Sequence, residues 1–330
     1  MSAREAMTVP TEDLRSAVEH ALGRHFDHAC RVVDFRREPS QYRSSFVLEE
    51  LRVRLDDGRT LDIVFKDVSP RGLSAAARAA KPEFLYDPRR EIRTYVEALN
   101  PSRLGVPVCY GAAEAPESGR FWLFLEKVDG RELYQFGEIR IWKEVAAWLA
   151  GLHDRFSTRV ASLRRQIPLL KYDGDYYRLW PNRALAFVGN SPNDETCRRL
   201  ERIVAAYERV VERLTALPVT LIHGEFYASN VLVQQTSSAL RVCPVDWEMA
   251  AVGPGLIDLA ALTAGQWTEQ QKAELATAYK APAELLAALP YCRLHLAMQW
   301  LGWAAEWTPP SEHAHDWLAE ALTLAEQLGL

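Results

Sequence analysis

The chain has 330 residues, and at one domain per roughly 100–200 residues that length points to two lobes and excludes a peptide-sized binding module. With 48% hydrophobic and 25% charged residues, 10 Trp, 12 Tyr and 11 Phe, the composition is globular and excludes the aromatic-poor profile of a disordered chain. A formal charge of −5 argues against a surface devoted to nucleic acid or anionic lipid.

Thr11, followed by the acids Glu12 and Asp13, reads as a helix cap, and Leu14, Val18, Ala21 and Leu22 continue at helical spacing to about Phe26. The period then changes. Val47, Leu51, Val53 and Leu55 lead into an Asp57-Gly58 turn and the alternation Leu61, Ile63, Phe65, which predicts a β-hairpin preceded by a strand near Cys30 to Phe35. Ser69 to Lys81 reads as a loop. Asp87-Pro88 supplies a cap and a first-turn proline for a helix from about Arg89 to Leu99, and Phe121 to Leu125 is a further strand.

Beyond residue 127 the periodicity is mostly helical, with stripes through Ile141, Val145, Trp148, Leu149 and Leu152 and through Leu200, Ile203, Val204, Tyr207, Val211 and Leu214. Tyr172 to Asn190, rich in Tyr, Trp, Asn, Pro and Gly, reads as an irregular insertion. Short strands are expected at Val219 to His223, Val231 to Gln234 and, after the turn Thr236-Ser237-Ser238, at Leu240 to Asp246. The five cysteines (Cys30, Cys109, Cys197, Cys243, Cys292) are scattered, with no C-x-x-C pair, which suits a reducing compartment. Met1 to Pro10 lacks the apolar run of a signal peptide, and no stretch reaches the roughly 18 apolar residues of a membrane span. A cytoplasmic location is expected. A β-rich first lobe joined to a helical second one leaves a cleft, the common place for a small ligand.

The densest polar signal is His223-Gly224-Glu225-Phe226-Tyr227-Ala228-Ser229-Asn230, followed by Val245-Asp246-Trp247-Glu248. Glu225, Asn230 and Asp246 are oxygen-bearing side chains at strand or loop ends, the type of ligand Mg²⁺ prefers alongside substrate phosphates. The same residues also suit an ordinary surface hairpin. Strand alternation separates Lys66 from the Leu61, Ile63, Phe65 face.

In order and spacing, His223-Gly224-Glu225 with Asn230, then Asp246-Trp247-Glu248, then Gly253-Pro254-Gly255-Leu256-Ile257-Asp258-Leu259-Ala260 resemble the aminoglycoside phosphotransferase and choline kinase superfamily, small-molecule relatives of protein kinases whose catalytic loop reads H-G-D-x-x-x-x-N. The resemblance runs from about residue 30 to 310. It implies an α+β, bilobal protein-kinase-like fold, with an N-terminal antiparallel β-sheet lobe (1–126, nucleotide binding) and a larger, mainly helical C-terminal lobe (127–330, catalysis and acceptor binding). It also implies transfer of the γ-phosphate of ATP to a small-molecule hydroxyl, with Mg²⁺.

By that resemblance Asn230 and Asp246 hold Mg²⁺ against the phosphates and Glu225 stands where the base accepts the acceptor's proton. His223, Glu248 and Asp258 support the loop. Lys66 grips the α- and β-phosphates, with Glu91 as its ion-pair partner ahead of Glu97. The phosphate-covering stretch has no glycine between Phe26 and Asp57, so Ser40, Ser44 and Ser45 are the expected donors there, and Phe124-Leu125-Glu126-Lys127-Val128 resembles the hinge that pairs with adenine, with Glu126 and Val128 as its nucleotide-binding residues. His153 ends a packing helix. The departure is Glu225, since the family uses Asp; the added methylene moves the carboxylate by about a bond length, and misplacement of about 1 Å can cost about a hundredfold. The alternative is therefore a nucleotide-binding relative that has lost or repurposed transfer and acts as a sensor or partner.

Acceptor recognition is expected in the helical part, at Tyr227, Trp267 and Glu306. Trp300, Trp303 and Trp307 form an aromatic stripe at i, i+3, i+7, and nine acids against three bases from residue 251 onward suit a cationic acceptor such as an aminoglycoside, another amino sugar or a quaternary amine.

Overall fold

The computed structural model describes residues 9–40, 42, 45–188, 194–236, 239–265, 267–303 and 315–330. Ser44, Ser237, Ser238, Glu306, Trp307 and Glu312 lie outside the described residues. The chain divides into two compact units, each built from separated segments.

The first unit comprises Met1–Ala79, Asp87–Arg131 and Leu232–Glu248. Its frame is an antiparallel sheet of β1 (Val32–Pro39), β2 (Leu48–Leu55), β3 (Thr60–Asp67), β4 (Cys109–Ala115) and β5 (Arg120–Glu126), in the order β1-β2-β3-β5-β4. The apolar alternation sets the register. Leu51, Val53, Leu55, Ile63, Phe65, Trp122 and Phe124 form one buried face, covered by Leu14, Val18, Ala21 and Leu22 of helix Thr11–Phe26. Burying such side chains contributes about 1.5–3 kcal/mol each.

That first helix begins one residue earlier than its sequence suggests. Pro10 occupies the cap and Thr11 lies in the first turn, where its hydroxyl accepts from Arg37 Nη1 at 3.0 Å. Asp87 does cap the next long segment, its carboxylate accepting from Arg89 N at 2.9 Å, with Pro88 in the first turn. That helix, Pro88–Arg93, widens into a π-helical stretch, Thr94–Leu99. The stretch read as a loop between Ser69 and Lys81 contains a short helix, Ala75–Ala80, to which its small residues are suited.

The second unit comprises Ala80–Tyr86, Glu132–Val231 and Met249–Leu330, and it is mainly helical. Helix Ile139–Ser157 buries Ile141, Val145, Leu149 and Leu152 of the predicted stripe and leaves its Trp148 partly exposed. Ala251–Pro254 pairs antiparallel with Val219–Ile222 and parallel with Leu170–Lys171. Within the stretch read as irregular, Tyr172 to Asn190, the described residues contain a helix, Gly174–Val188, despite Pro181, while 189 and 190 lie outside the described residues. Tyr177, Trp180 and Ala184 are fully buried along it, and Tyr176 N is capped by Asp173 Oδ1 at 3.1 Å, so tertiary burial overrides a composition that reads as loop. The aromatic stripe is also broken. Helix Leu289–Leu301 carries Trp300 but ends at Gly302, leaving Trp303 beyond it.

Candidate functional site

In the first unit, β3 delivers Lys66 to a buried position, 3% exposed. Its Nζ lies 2.7 Å from Glu91 Oε2 and 2.6 Å from Asp246 Oδ1. Burial alone would lower the ammonium pKa, but Asp246, Glu91 and Glu248 together hold it above its ordinary value. Burial pushes the Glu91 carboxyl up against the pull of Lys66, and Asp246 and Glu248 push it further. One buried cation thus stands among three carboxylates.

Asp246 reaches Lys66 from a left-handed backbone, φ 65°, a conformation Asp tolerates better than most side chains. The turn after it is fastened at two points. Trp247 N donates to Glu91 Oε1 at 3.3 Å, and Arg90 Nη1 donates to the Glu248 carbonyl at 2.9 Å. Ser45 Oγ donates to Glu248 Oε1 at 2.9 Å, while Ser74 N donates to the Ser45 carbonyl at 2.9 Å. Ser45, Lys66, Glu91, Asp246 and Glu248 are therefore one connected group. Ser40 Oγ instead donates to Glu50 Oε1 at 3.2 Å.

At the end of β5 the Glu126 carboxylate is bound by Arg241 Nη1 and Nη2 at 2.6 and 2.7 Å and by Val108 N at 2.9 Å. Burial would raise its pKa, but Arg241 holds it below the usual carboxylate range. Val128 packs with Leu232 and Cys243 in a small apolar cluster. Arg241 and Arg90 had no motif to announce them, because each acts on a residue far away in sequence.

In the second unit the loop after Val219–Ile222 is set by one carboxylate. Asp258, 0% exposed, accepts from His223 N at 2.7 Å and from Gly224 N at 2.9 Å. Its Oδ2 also meets His153 Nε2 at 3.1 Å, and His153 Nδ1 meets the Tyr279 hydroxyl at 2.7 Å. His153 and Asp258 thus brace the loop together. Gly224 has φ +84°, and a Cβ there would lie 2.4 Å from the Met249 carbonyl. His223 Nδ1 accepts from Glu225 N at 3.3 Å. Asn230 Nδ2 donates to the Glu225 carbonyl at 3.0 Å, which fixes the amide and leaves its oxygen for another partner.

Of the expected acceptor residues, Tyr227 joins an aromatic group: its hydroxyl accepts from Trp300 Nε1, and its ring is 5.4 Å from Trp300. Trp267 packs edge-on against Trp142 at 4.6 Å. Tyr172, Tyr176 and Gln299, which the sequence reading did not single out, lie buried in the same unit. The Tyr-rich composition of 172–177 was the only signal for the two tyrosines, and Gln299 had none.

A search of curated proteins finds no match. Among solved structures, similarity extends to aminoglycoside 2'-phosphotransferase-IIIa in its GDP complex (TM-score 0.58, 14% identity, 95% of this chain and 97% of that one). It extends also to choline kinase from Cryptosporidium parvum Iowa II (0.61, 16%, 97% and 96%) and to a microcompartment-associated aminopropanol kinase (0.59, 15%, 89% and 90%). These likenesses show a shared α+β, protein-kinase-like fold. The sequence model of the phosphotransferase enzyme family matches residues 48–295, and the chain belongs to that family.

Proposed function

We propose that the protein transfers the γ-phosphoryl group of ATP to a hydroxyl of a small molecule. The observation that carries this reading is Lys66 held between Glu91 and Asp246. A buried lysine with two carboxylates is expensive to desolvate, and a site built to meet phosphates and a divalent cation gives that arrangement a use.

The donor set fits Mg²⁺. Asp246 supplies a carboxylate and Asn230 the amide oxygen left by its bond to Glu225, both hard oxygen donors. When bound, the ion neutralises charge on the β- and γ-phosphates. Lys66 holds the α- and β-phosphates, Glu91 keeps Lys66 oriented, and Ser45 contributes a hydroxyl to the phosphate-covering stretch. Glu126 and Val128 line the adenine side through backbone groups and apolar contact, because the Glu126 carboxylate is occupied by Arg241. Glu225 takes the acceptor hydroxyl's proton as the new O–P bond forms, and the bond from Pγ to the bridging oxygen breaks to release ADP.

A second reading has its own observation: the base position holds Glu where the family pattern has Asp. It describes a protein that binds nucleotide and does not transfer. The two separate in one pair of assays. Mg·ATP raises the thermal midpoint under both readings, whereas ADP production dependent on a member of a hydroxyl-bearing library occurs only under the first. No response to Mg·ATP would overturn both.

A further inference from the structure

Arg241 directs its whole guanidinium at one place in the first unit. Nη1 and Nη2 hold the two Glu126 carboxylate oxygens at 2.6 and 2.7 Å. Nε donates to the Gly105 carbonyl at 2.6 Å, Nη2 also to the Val106 carbonyl at 3.0 Å, and Nη1 also to Gln234 Oε1 at 3.3 Å. Every N–H group that the guanidinium carries is therefore used. A lone surface ion pair contributes little, but a bidentate fork that also gathers two carbonyls fixes position as well as charge. The same strand, Leu240–Pro244, acts there again further on: Cys243 Sγ donates to the Gly105 carbonyl at 3.3 Å, and Cys243 and Val245 pack with Val128. Residues 241, 243 and 245 follow the two-residue period of a strand, and Asp246, which holds Lys66, comes next.

The clasp fixes the end of β5, the segment proposed to meet adenine. Glu126 N donates to the Val108 carbonyl at 2.8 Å, but the return bond of the ladder goes elsewhere: Val108 N donates to Glu126 Oε2 at 2.9 Å, not to the Glu126 carbonyl. Arg241 holds that carboxylate against Val108 N and so leaves the Glu126 main-chain oxygen to another donor. Lys127 N is tied to the Asp62 carbonyl at 3.0 Å, which limits how far the segment turns. We propose that Arg241 is a positioning residue for the donor nucleotide: by clasping Glu126 it presents the Glu126 carbonyl to the exocyclic amine of adenine and thereby selects a 6-amino purine.

A carbonyl oxygen accepts and never donates, so it pairs with the amine of adenine and opposes the ring oxygen that guanine or hypoxanthine carries at the same position. A purine with neither group leaves the carbonyl unpaired. Lysine at 241 would keep the charge but reach only one carboxylate oxygen and none of the fork's other partners. The Glu126 carboxylate would then swing away from Val108 N, and that amide would turn to the Glu126 carbonyl, completing the ladder and closing the acceptor to the base.

This inference rests on the nucleotide-binding reading, and its test separates the two. Isothermal titration would compare the Mg²⁺ complexes of ATP and of purine riboside triphosphate, which lacks only the 6-amino group, on the wild type, Arg241→Lys and Arg241→Gln. The wild type should bind ATP about tenfold tighter than the analogue. In both variants that ratio should fall to about twofold or less, chiefly through weaker ATP binding. Each ratio compares two ligands on one preparation, so a fraction of unfolded chain does not alter it. An arginine that only braces the fold would weaken both ligands alike and leave the wild-type ratio in place, and that result would overturn the inference. A wild type that binds both triphosphates equally would overturn it too, while the nucleotide-binding reading stands. A wild type that binds neither refutes both.

Discussion

Lys66 concentrates the chemistry of the first unit into one side chain. Because its charge is held by Glu91 and Asp246 within a buried group, Lys66→Ala leaves two carboxylates without their cation. We expect a raised KM for ATP and a lowered kcat, with the acceptor KM little changed; steady-state kinetics with each substrate varied in turn checks this, and an unchanged ATP dependence would return Lys66 to a structural role. Asp246→Asn keeps the side chain's shape but removes a charge. It should weaken Mg·ATP binding and abolish transfer while the thermal midpoint without nucleotide stays within a few degrees. Full Mg²⁺-dependent activity in that variant would contradict the assignment.

At the scale of elements, the catalytic loop depends on a backbone that only glycine fits and on a carboxylate that collects its amides. Gly224→Ala forces a Cβ against the Met249 carbonyl at a left-handed φ and should cost about 1–3 kcal/mol, measured by denaturant unfolding. Asp258→Asn sets an amide NH₂ against one of the two loop N–H groups and should cost a similar amount, with a lower kcat. The strands of the first unit were legible because alternation such as Leu61, Ile63, Phe65 has one reading on a half-buried sheet; it placed Lys66 on the opposite face, while the role expected of Lys66 came from the family resemblance. The ordered loop residues from His223 to Asp258 were legible as a motif. Helix Gly174–Val188 was not, because Pro181 and the clustered Tyr and Trp mask a helix that burial of Tyr177 and Trp180 sustains. Nor was the bond between Glu126 and Arg241, residues 115 positions apart, since no local pattern links them.

For the molecule as a whole, the two units draw on interleaved segments, so Leu232–Glu248 brings Asp246 into the same unit as Lys66 although Lys66 lies far upstream. Global stability carries a pH signature from one buried ring. Burial pushes His295 down to about 3 from an ordinary value of 6.5. Between those values the unfolded chain binds a proton that the folded chain refuses, so this group subtracts about 1.4 kcal/mol of stability per pH unit as pH falls below 6.5. Urea unfolding at pH 7 and pH 5 should therefore show a smaller acid loss for His295→Gln than for the wild type, by about 2 kcal/mol. Parallel pH dependence would place the ring in a wetter environment.

If Glu225 is the base in phosphoryl transfer, the rates of acceptor phosphorylation by the wild type and by Glu225→Gln, measured side by side at saturating Mg·ATP, must differ. The wild type should transfer measurably and the variant should lose roughly 10²–10⁴ in rate, with ATP affinity within a few-fold. Equal and substantial rates in the two proteins would contradict that role.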